Sequence, residues 1–163
     1  MAGAATGDAR RSADAITIRR AEPGDAGGIG DVRLASWRAT FDFELAHPDD
    51  DVRRWIATEL VPHHETWVAV DEGGAIVALM ALSSDMIEQL YVAPAWIGRG
   101  LGRRFVALAK RRRPAGLDLY CFAVNTKARR FYERAGFEPI AFSDGAGNEE
   151  RQPDVRYAWR PTS

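Results

Sequence analysis

The sequence predicts an α+β fold whose elements follow the order β-α-α-β-β-β-α-β-α-β-β. Three observations predict it. Two β-rich runs, Thr66 to Val70 and Ala75 to Leu82, flank Asp71-Glu-Gly-Gly74, a strong hairpin signal. Further on, strand-like runs alternate with segments of helical period. Finally, Leu117 to Val124 is nearly continuous in apolar residues, the pattern of a strand buried on both faces. With 163 residues, 46% of them hydrophobic, the chain suits one domain with a substantial core, which we place at residues 15–163.

Residues 1–14 are small and polar and read as a disordered tail. Ile16 to Ile18 form a first strand. Glu22-Pro-Gly-Asp25 turns into a helix that runs to about Thr40, with Ile29, Val32 and Ser36 on one face. Gly27, Gly28 and Gly30 each cost that helix up to about 1 kcal/mol relative to Ala, which predicts loose first turns. Pro48 and Asp49 to Asp51 open a second helix, where carboxylates suit the dipole, and Val52, Trp55, Ile56 and Leu60 share its inward side.

A fourth strand runs from Met86 to Val92 and enters a loop with glycine at positions 98, 100 and 102. The next helix turns Leu101, Phe105 and Leu108 to the sheet. Its last turn carries Lys110 to Arg113, read as a solvated basic end, and Pro114 stops it. Asn125 caps a final helix with Ala128, Phe131 and Ala135 inward, and Gly136 ends it. Two late strands, Phe137 to Phe142 and Val155 to Trp159, are joined by a polar loop. Trp55, Trp67 and Trp159 fit core positions, whereas Trp37 and Trp96 flank the candidate site.

Composition removes several function classes. A formal net charge of −1 gives no case for nucleic acid or an anionic membrane as partner. No apolar stretch approaches the length of a membrane span, and the N-terminus lacks the hydrophobic core of a signal peptide. A single cysteine, Cys121, permits no internal disulfide, so a cytoplasmic protein is expected. His47, His63 and His64 have no ligand-like spacing with Cys121 or with helical acids, so no metal is expected.

Two features carry chemistry. The glycines at 98, 100 and 102 free the backbone to aim amide N–H groups at an anion beside a helix N-terminus. The loop lacks the Gly-Lys-Ser/Thr ending of a nucleoside-triphosphate loop, because Arg103 and Arg104 follow, and it misses the dinucleotide fingerprint. Glu88 is the second feature, an acid within an apolar strand. Period-two geometry puts it on the face of Leu90 and Val92, close to the loop; the alternative is a carboxylate at a solvated strand edge.

Leu90-Tyr91-Val92-x-Pro94, then Ile97-Gly98-Arg99-Gly100-Leu101-Gly102, then Asn125 to Phe137 together resemble the GNAT superfamily of acyl-CoA-dependent N-acetyltransferases. The resemblance is specific from about Ala75 to Phe137 and topological before that. Ile97 departs from the family's Gln or Arg at the first loop position. The resemblance implies a mixed, mostly antiparallel sheet with helices on both faces and with parallel fourth and fifth strands that splay apart. It implies acetyl-CoA as co-substrate, its pantetheine arm along Leu90, Tyr91, Val92 and Asn125 and its pyrophosphate on Ile97 to Arg103. It further implies Glu88 as general base, Tyr132 as donor to the departing sulfur, and direct attack by a primary amine of a small molecule or peptide. Trp37, Phe41, Asp42 and Glu88 are the candidate acceptor-site residues, and Asp42, Glu44 and the acids near Asp49 would give the loop between the first two helices a negative field that attracts a cationic amine; the alternative is solvated loop acids. A non-catalytic acyl-CoA or nucleotide sensor on the same fold is the rival reading. Nothing in the sequence separates a monomer from a homodimer.

Overall fold

The computed structural model describes residues 15–162; the predicted tail at 1–14 lies outside the described residues. Strands β1 (Thr17–Arg20), β2 (Glu65–Val70), β3 (Ile76–Leu82) and β4 (Ile87–Val92) form an antiparallel sheet in that order. β5 (Leu117–Phe122), β6 (Glu138–Ser143) and β7 (Asp154–Trp159) form a second, in the order β5-β7-β6. Among the described residues the two sheets meet at one parallel bridge, Met86 to Asp118, supported by the Asp118 N–H donating to the Asp85 carbonyl at 2.9 Å. Past that point β4 and β5 diverge. This is the expected splay.

Helices cover both faces because each face carries its own apolar set. On one face α1 (Ala26–Thr40), α2 (Asp49–Trp55) and the first residue after α2 pack Ile29, Val32, Val52 and Ile56 on Val68, Leu79 and Ala81. α2 continues through a π-helical stretch, Ile56–Leu60, into a last turn, Val61–His63. On the other face α3 (Leu101–Arg112) and α4 (Thr126–Arg134) cover Met80, Leu82, Leu119, Val155 and Tyr157.

Four expectations are corrected here. α1 is regular from Ala26, not loose. Its glycines admit close neighbours, since a Cβ on Gly28 would lie 2.9 Å from Ile76 Cδ1 and one on Gly30 2.9 Å from an Arg53 guanidinium nitrogen. Trp55 is 39% exposed instead of core, because it stands at the edge of the Val52, Ile56 and Leu60 stripe, where it borders a cavity. β5 is not buried on both faces throughout: Tyr120 is 56% exposed, while the charged Asp118 is only 5% exposed. The basic end of α3 is not a solvated run either. Arg112 forks onto Glu65 at 2.8 and 3.0 Å, Arg113 donates to the Ser83 carbonyl at 2.8 Å, and Lys110 bonds the Ala135 carbonyl beside the Trp159 ring. Those cations staple the helix end to β2 and to the turn after α4. Among the described residues no helix is long and apolar enough to cross a membrane.

Candidate active site

The splay leaves two strand edges facing each other. β4 bonds β3 on one side and β5 bonds β7 on one side, so beyond Met86 and Asp118 the opposing edges have no ladder between them among the described residues. Backbone amides along such edges suit an extended chain that itself carries amides. Leu90 and Val92 turn their side chains to the α3 core and Tyr91 to the α1 face, which leaves the backbone of this segment as its contribution to the opening.

The glycine loop stands at one end of the splay. A single 3-10 turn, Pro94–Trp96, leads through the exposed Ile97 to Gly98 and Gly100, whose φ angles are +80° and +86°. Gly100 caps α3 in the left-handed conformation, and a Cβ at either glycine would meet nothing within 4 Å. The backbone therefore needs glycine there for its dihedrals, and the space above stays open for a ligand. The first intrahelical acceptor is the Gly100 carbonyl, bonded by the Arg104 N–H at 3.2 Å. The N–H groups of Leu101, Gly102 and Arg103 precede it, and an anion can accept from them at the positive end of the dipole.

Gly102 has a different reason to be glycine. A Cβ there would lie 3.0 Å from the Phe131 ring, so it permits α3 and α4 to approach. Leu101 buries its side chain and offers only its N–H. Of the arginines, Arg99 donates to the Ala95 carbonyl at 3.2 Å and lies over the buried Trp96 ring; Arg104 donates to the Ile16 carbonyl at 3.1 Å. Arg103 is exposed.

Across the opening, Asn125 caps α4 by accepting from the Ala128 N–H at 3.3 Å. Tyr132 sits one face further round, ringed by Phe131, Phe137 and Tyr157. Burial pushes its phenol above the ordinary range, and neighbouring Cys121 and Tyr91 add to the shift, so Tyr132 holds its proton at neutral pH. Burial likewise raises the Cys121 thiol to about 11, which keeps it a small hydrophobe and not a nucleophile.

Glu88 stands at a β-bulge. Leu82 pairs with Ile87 and Ala81 with Gln89, so Glu88 is the extra residue of β4. The alternation that would set it with Leu90 and Val92 does not carry across the bulge: Ile87 and Leu90, three apart, belong to one core. Glu88 is also exposed, so the cost of burial gives no argument for its presence. The bulge does.

The acceptor-side expectations divide. Trp37 is only 4% exposed, and its Nε1–H donates to the Phe43 carbonyl at 3.0 Å; it belongs to an aromatic cluster and does not line an opening. Phe41 and Phe43 complete that cluster against Phe122, which ties the α1–α2 loop to the end of β5. Asp42 and Glu44 are exposed. A cavity of about 420 Å³ opens nearby, between the start of α2, the α1–α2 loop, β4 and the β6–β7 loop. Leu45, Val52 and Trp55 form its apolar wall, Asp51, Glu149 and Glu150 its carboxylates. His47 Nε2 lies 3.1 Å from Glu149 Oε2, joining the two loops. Gln89 belongs both to the cavity wall and to β4 beside Glu88. Apart from Asp51, one of the acids near Asp49, these residues escaped the sequence reading as acceptor-site candidates, since their spacing does not mark them. A second cavity of about 330 Å³, at Ser84, Arg112, Arg113 and Arg160, lies at the root of the splay.

The acetyltransferase (GNAT) domain family matches residues 62–139. The peptidyl-lysine N-acetyltransferase YjaB of Salmonella typhimurium is 30% identical over 133 residues, which are 79% of this chain and 88% of the relative. The chain belongs to the GNAT superfamily and is an N-acetyltransferase. The solution structure of apo-form YjaB from Escherichia coli superposes with a TM-score of 0.73 at 27% identity, covering 88% of this GNAT chain and 97% of that one. PaiA N-acetyltransferase of Thermoplasma acidophilum, in complex with coenzyme A, has the same fold, with a TM-score of 0.68 at 16% identity over 90% of this chain and 99% of that one. The 30% identity to an N-acetyltransferase supports an enzyme over the non-catalytic sensor on the same fold. Among the described residues no group of three or more His, Cys, Asp or Glu converges in a metal-like cluster.

Proposed function

We propose that residues 15–163 act as one domain that transfers the acetyl group of acetyl-CoA to the primary amine of a lysine side chain on a peptide. The observation that carries this reading is that three features adjoin β4: an anion cradle at Gly98 and Gly100 beyond its end, its own edge toward β5, and a carboxylate-lined cavity at Gln89. The thioester supplies an activated acyl carbon. The chain's own residues do the rest.

Amide N–H groups from Gly98 to Arg103 hold the pyrophosphate, and the β4 edge from Leu90 to Val92, with Asn125, orients the arm that carries the acyl group. Glu88 takes a proton from the amine, directly or through a water, and Tyr132 donates a hydrogen bond to the sulfur as it leaves.

The cavity supports a cationic amine as acceptor. Its carboxylates outnumber its one guanidinium, Arg33, and Arg33 is already engaged by Gln89 at 3.1 Å. Glu150 is half-buried there and makes no ion pair among the described residues. Leu45, Val52 and Trp55 suit an alkyl stem, with the Trp55 ring available for cation–π contact. The relatives' activity on peptidyl lysine points the same way. Thiol release from acetyl-CoA, measured over lysine peptides, free amino acids and polyamines, tests this. Lysine peptides should give the highest kcat/KM, and Glu150→Gln should raise the KM for the amine without changing that for acetyl-CoA. A preference for neutral or anionic acceptors contradicts it.

A further inference from the structure

We infer that Arg33 is a positioning residue that fixes the β4 bulge and thereby aims Glu88; this rests on the reading of Glu88 as general base. A bulged residue has no ladder partner of its own to set its direction. Something outside the ladder must set it. Immediately after Glu88, Gln89 crosses to α1, where Arg33 Nε donates to its Oε1 at 3.1 Å. Two residues further on, the guanidinium of Arg33 lies 5.5 Å from the centroid of the Tyr91 ring. One side chain therefore grips β4 at two successive residues of the same face, starting at the bulge.

The platform behind Arg33 is rigid. Its neighbours Val32 and Leu34 are buried in the core, and Gly30 lets the Arg53 side chain lie against α1. The residue before the bulge, Ile87, is held by its ladder pairing with Leu82 and by apolar packing. Without the grip, the extra residue can move along β4. A one-residue move of register turns side chains to the other face of the sheet. Glu88 would then lose its place while the strand and the glycine loop persisted.

This is a different role from filling the acceptor cavity, although Arg33 and Gln89 both line it. A lining role alters the KM for the amine. A positioning role lowers kcat and depends on Glu88 being present.

Steady-state kinetics of Glu88→Gln, Arg33→Ala, Gln89→Leu and the double variant Glu88→Gln/Arg33→Ala separate the two. Arg33→Ala and Gln89→Leu should each lower kcat by roughly tenfold to a hundredfold, the scale expected for misplacing a catalytic group, with the KM for acetyl-CoA unchanged. In the Glu88→Gln background, Arg33→Ala should cost nothing more, because the two changes act through one group. An equal further loss in that background, or a change confined to the amine KM, overturns the proposal. If Glu88→Gln is slow while Arg33→Ala and Gln89→Leu match the wild type, the grip alone is wrong. Wild-type turnover by Glu88→Gln overturns the general-base reading and the grip with it. Should Arg33→Ala fail to fold, Arg33→Lys takes its place: it keeps the charge but not the geometry of the guanidinium, and it should show the same dependence on Glu88.

Discussion

Met86 and Asp118 face each other in the one parallel bridge that joins the two sheets among the described residues. The opening between β4 and β5 starts there, and the carboxylate at its root is held from two sides. Arg156 reaches Asp118 Oδ2 at 2.6 Å and Arg160 lies 2.9 Å from Oδ1. Asp118→Ala should destabilise the fold by about 1 kcal/mol or more, because it removes a buried carboxylate's charge-assisted hydrogen bonds, while the part-exposed guanidinium groups of Arg156 and Arg160 stay solvated. Urea denaturation checks this; an unchanged midpoint would show that backbone pairing alone sets the root of the splay.

Glu65 gives the fold a defined acid sensitivity. The hydrogen bond from Arg112, with lesser help from Trp67 and Arg113 and against the cost of burial, lowers its carboxyl to about 2. A depressed carboxyl stabilises the folded state above its ordinary unfolded value, about 4.3, and that contribution is lost as pH falls toward 2. The melting temperature should therefore drop across that window. Glu65→Gln should be less stable than the wild type at pH 7, and the gap should close in acid. A gap that is constant with pH would contradict this account.

The glycines of the loop should separate by phenotype. Gly98→Val and Gly100→Val force a β-branched residue into positive φ at the cradle, and both should weaken coenzyme A binding at least tenfold by calorimetry while the sheet survives. Gly102→Val should act instead on stability, because its side chain would run into Phe131. Equal loss of binding with unchanged melting in all three would show that a Gly102 side chain meets the bound phosphate and not Phe131.

How much of this was legible follows a physical pattern. The element order was, since hairpin chemistry at Asp71, apolar period and the Asn125 cap are local signals that tertiary packing reinforces; the splay followed only from the family resemblance. The Glu88 bulge was not, because an extra residue in a strand leaves no mark in an alternation already broken by Gln89. Gly102 looked like its neighbours in sequence, and only the Phe131 ring on a distant helix distinguishes it. Asp118 did carry a signal: it is the sole charge between Leu117 and Val124, and a charge in such a run requires partners. Trp37 and Trp55 exchanged expected roles because helical period places a residue near a face without saying what covers that face. The acceptor cavity draws on loops far apart in the chain, with His47 and Glu149 brought together, and no local pattern anticipates such a pairing.

Tyr132→Phe should fold, bind acetyl-CoA as the wild type does and lose at least about tenfold in kcat, equivalent to about 1.4 kcal/mol of transition-state stabilisation. The phenol is held protonated by burial, so it can donate throughout the neutral range. Undiminished turnover would show that solvent protonates the sulfur and that the ring only packs.

We place the donor in the splay, with its phosphates on the Gly98 to Arg103 backbone. Hydrogen–deuterium exchange, with and without saturating coenzyme A, tests it most directly. Protection should appear at the amides of Gly98 to Arg103 and along Gln89 to Val92, while β1 and β2 stay unchanged. The basic cavity at Ser84, Arg112, Arg113 and Arg160 should also stay unchanged, since Glu65 and Asp118 already engage those arginines. Protection centred on that second cavity, with none at the glycine loop, would contradict the account.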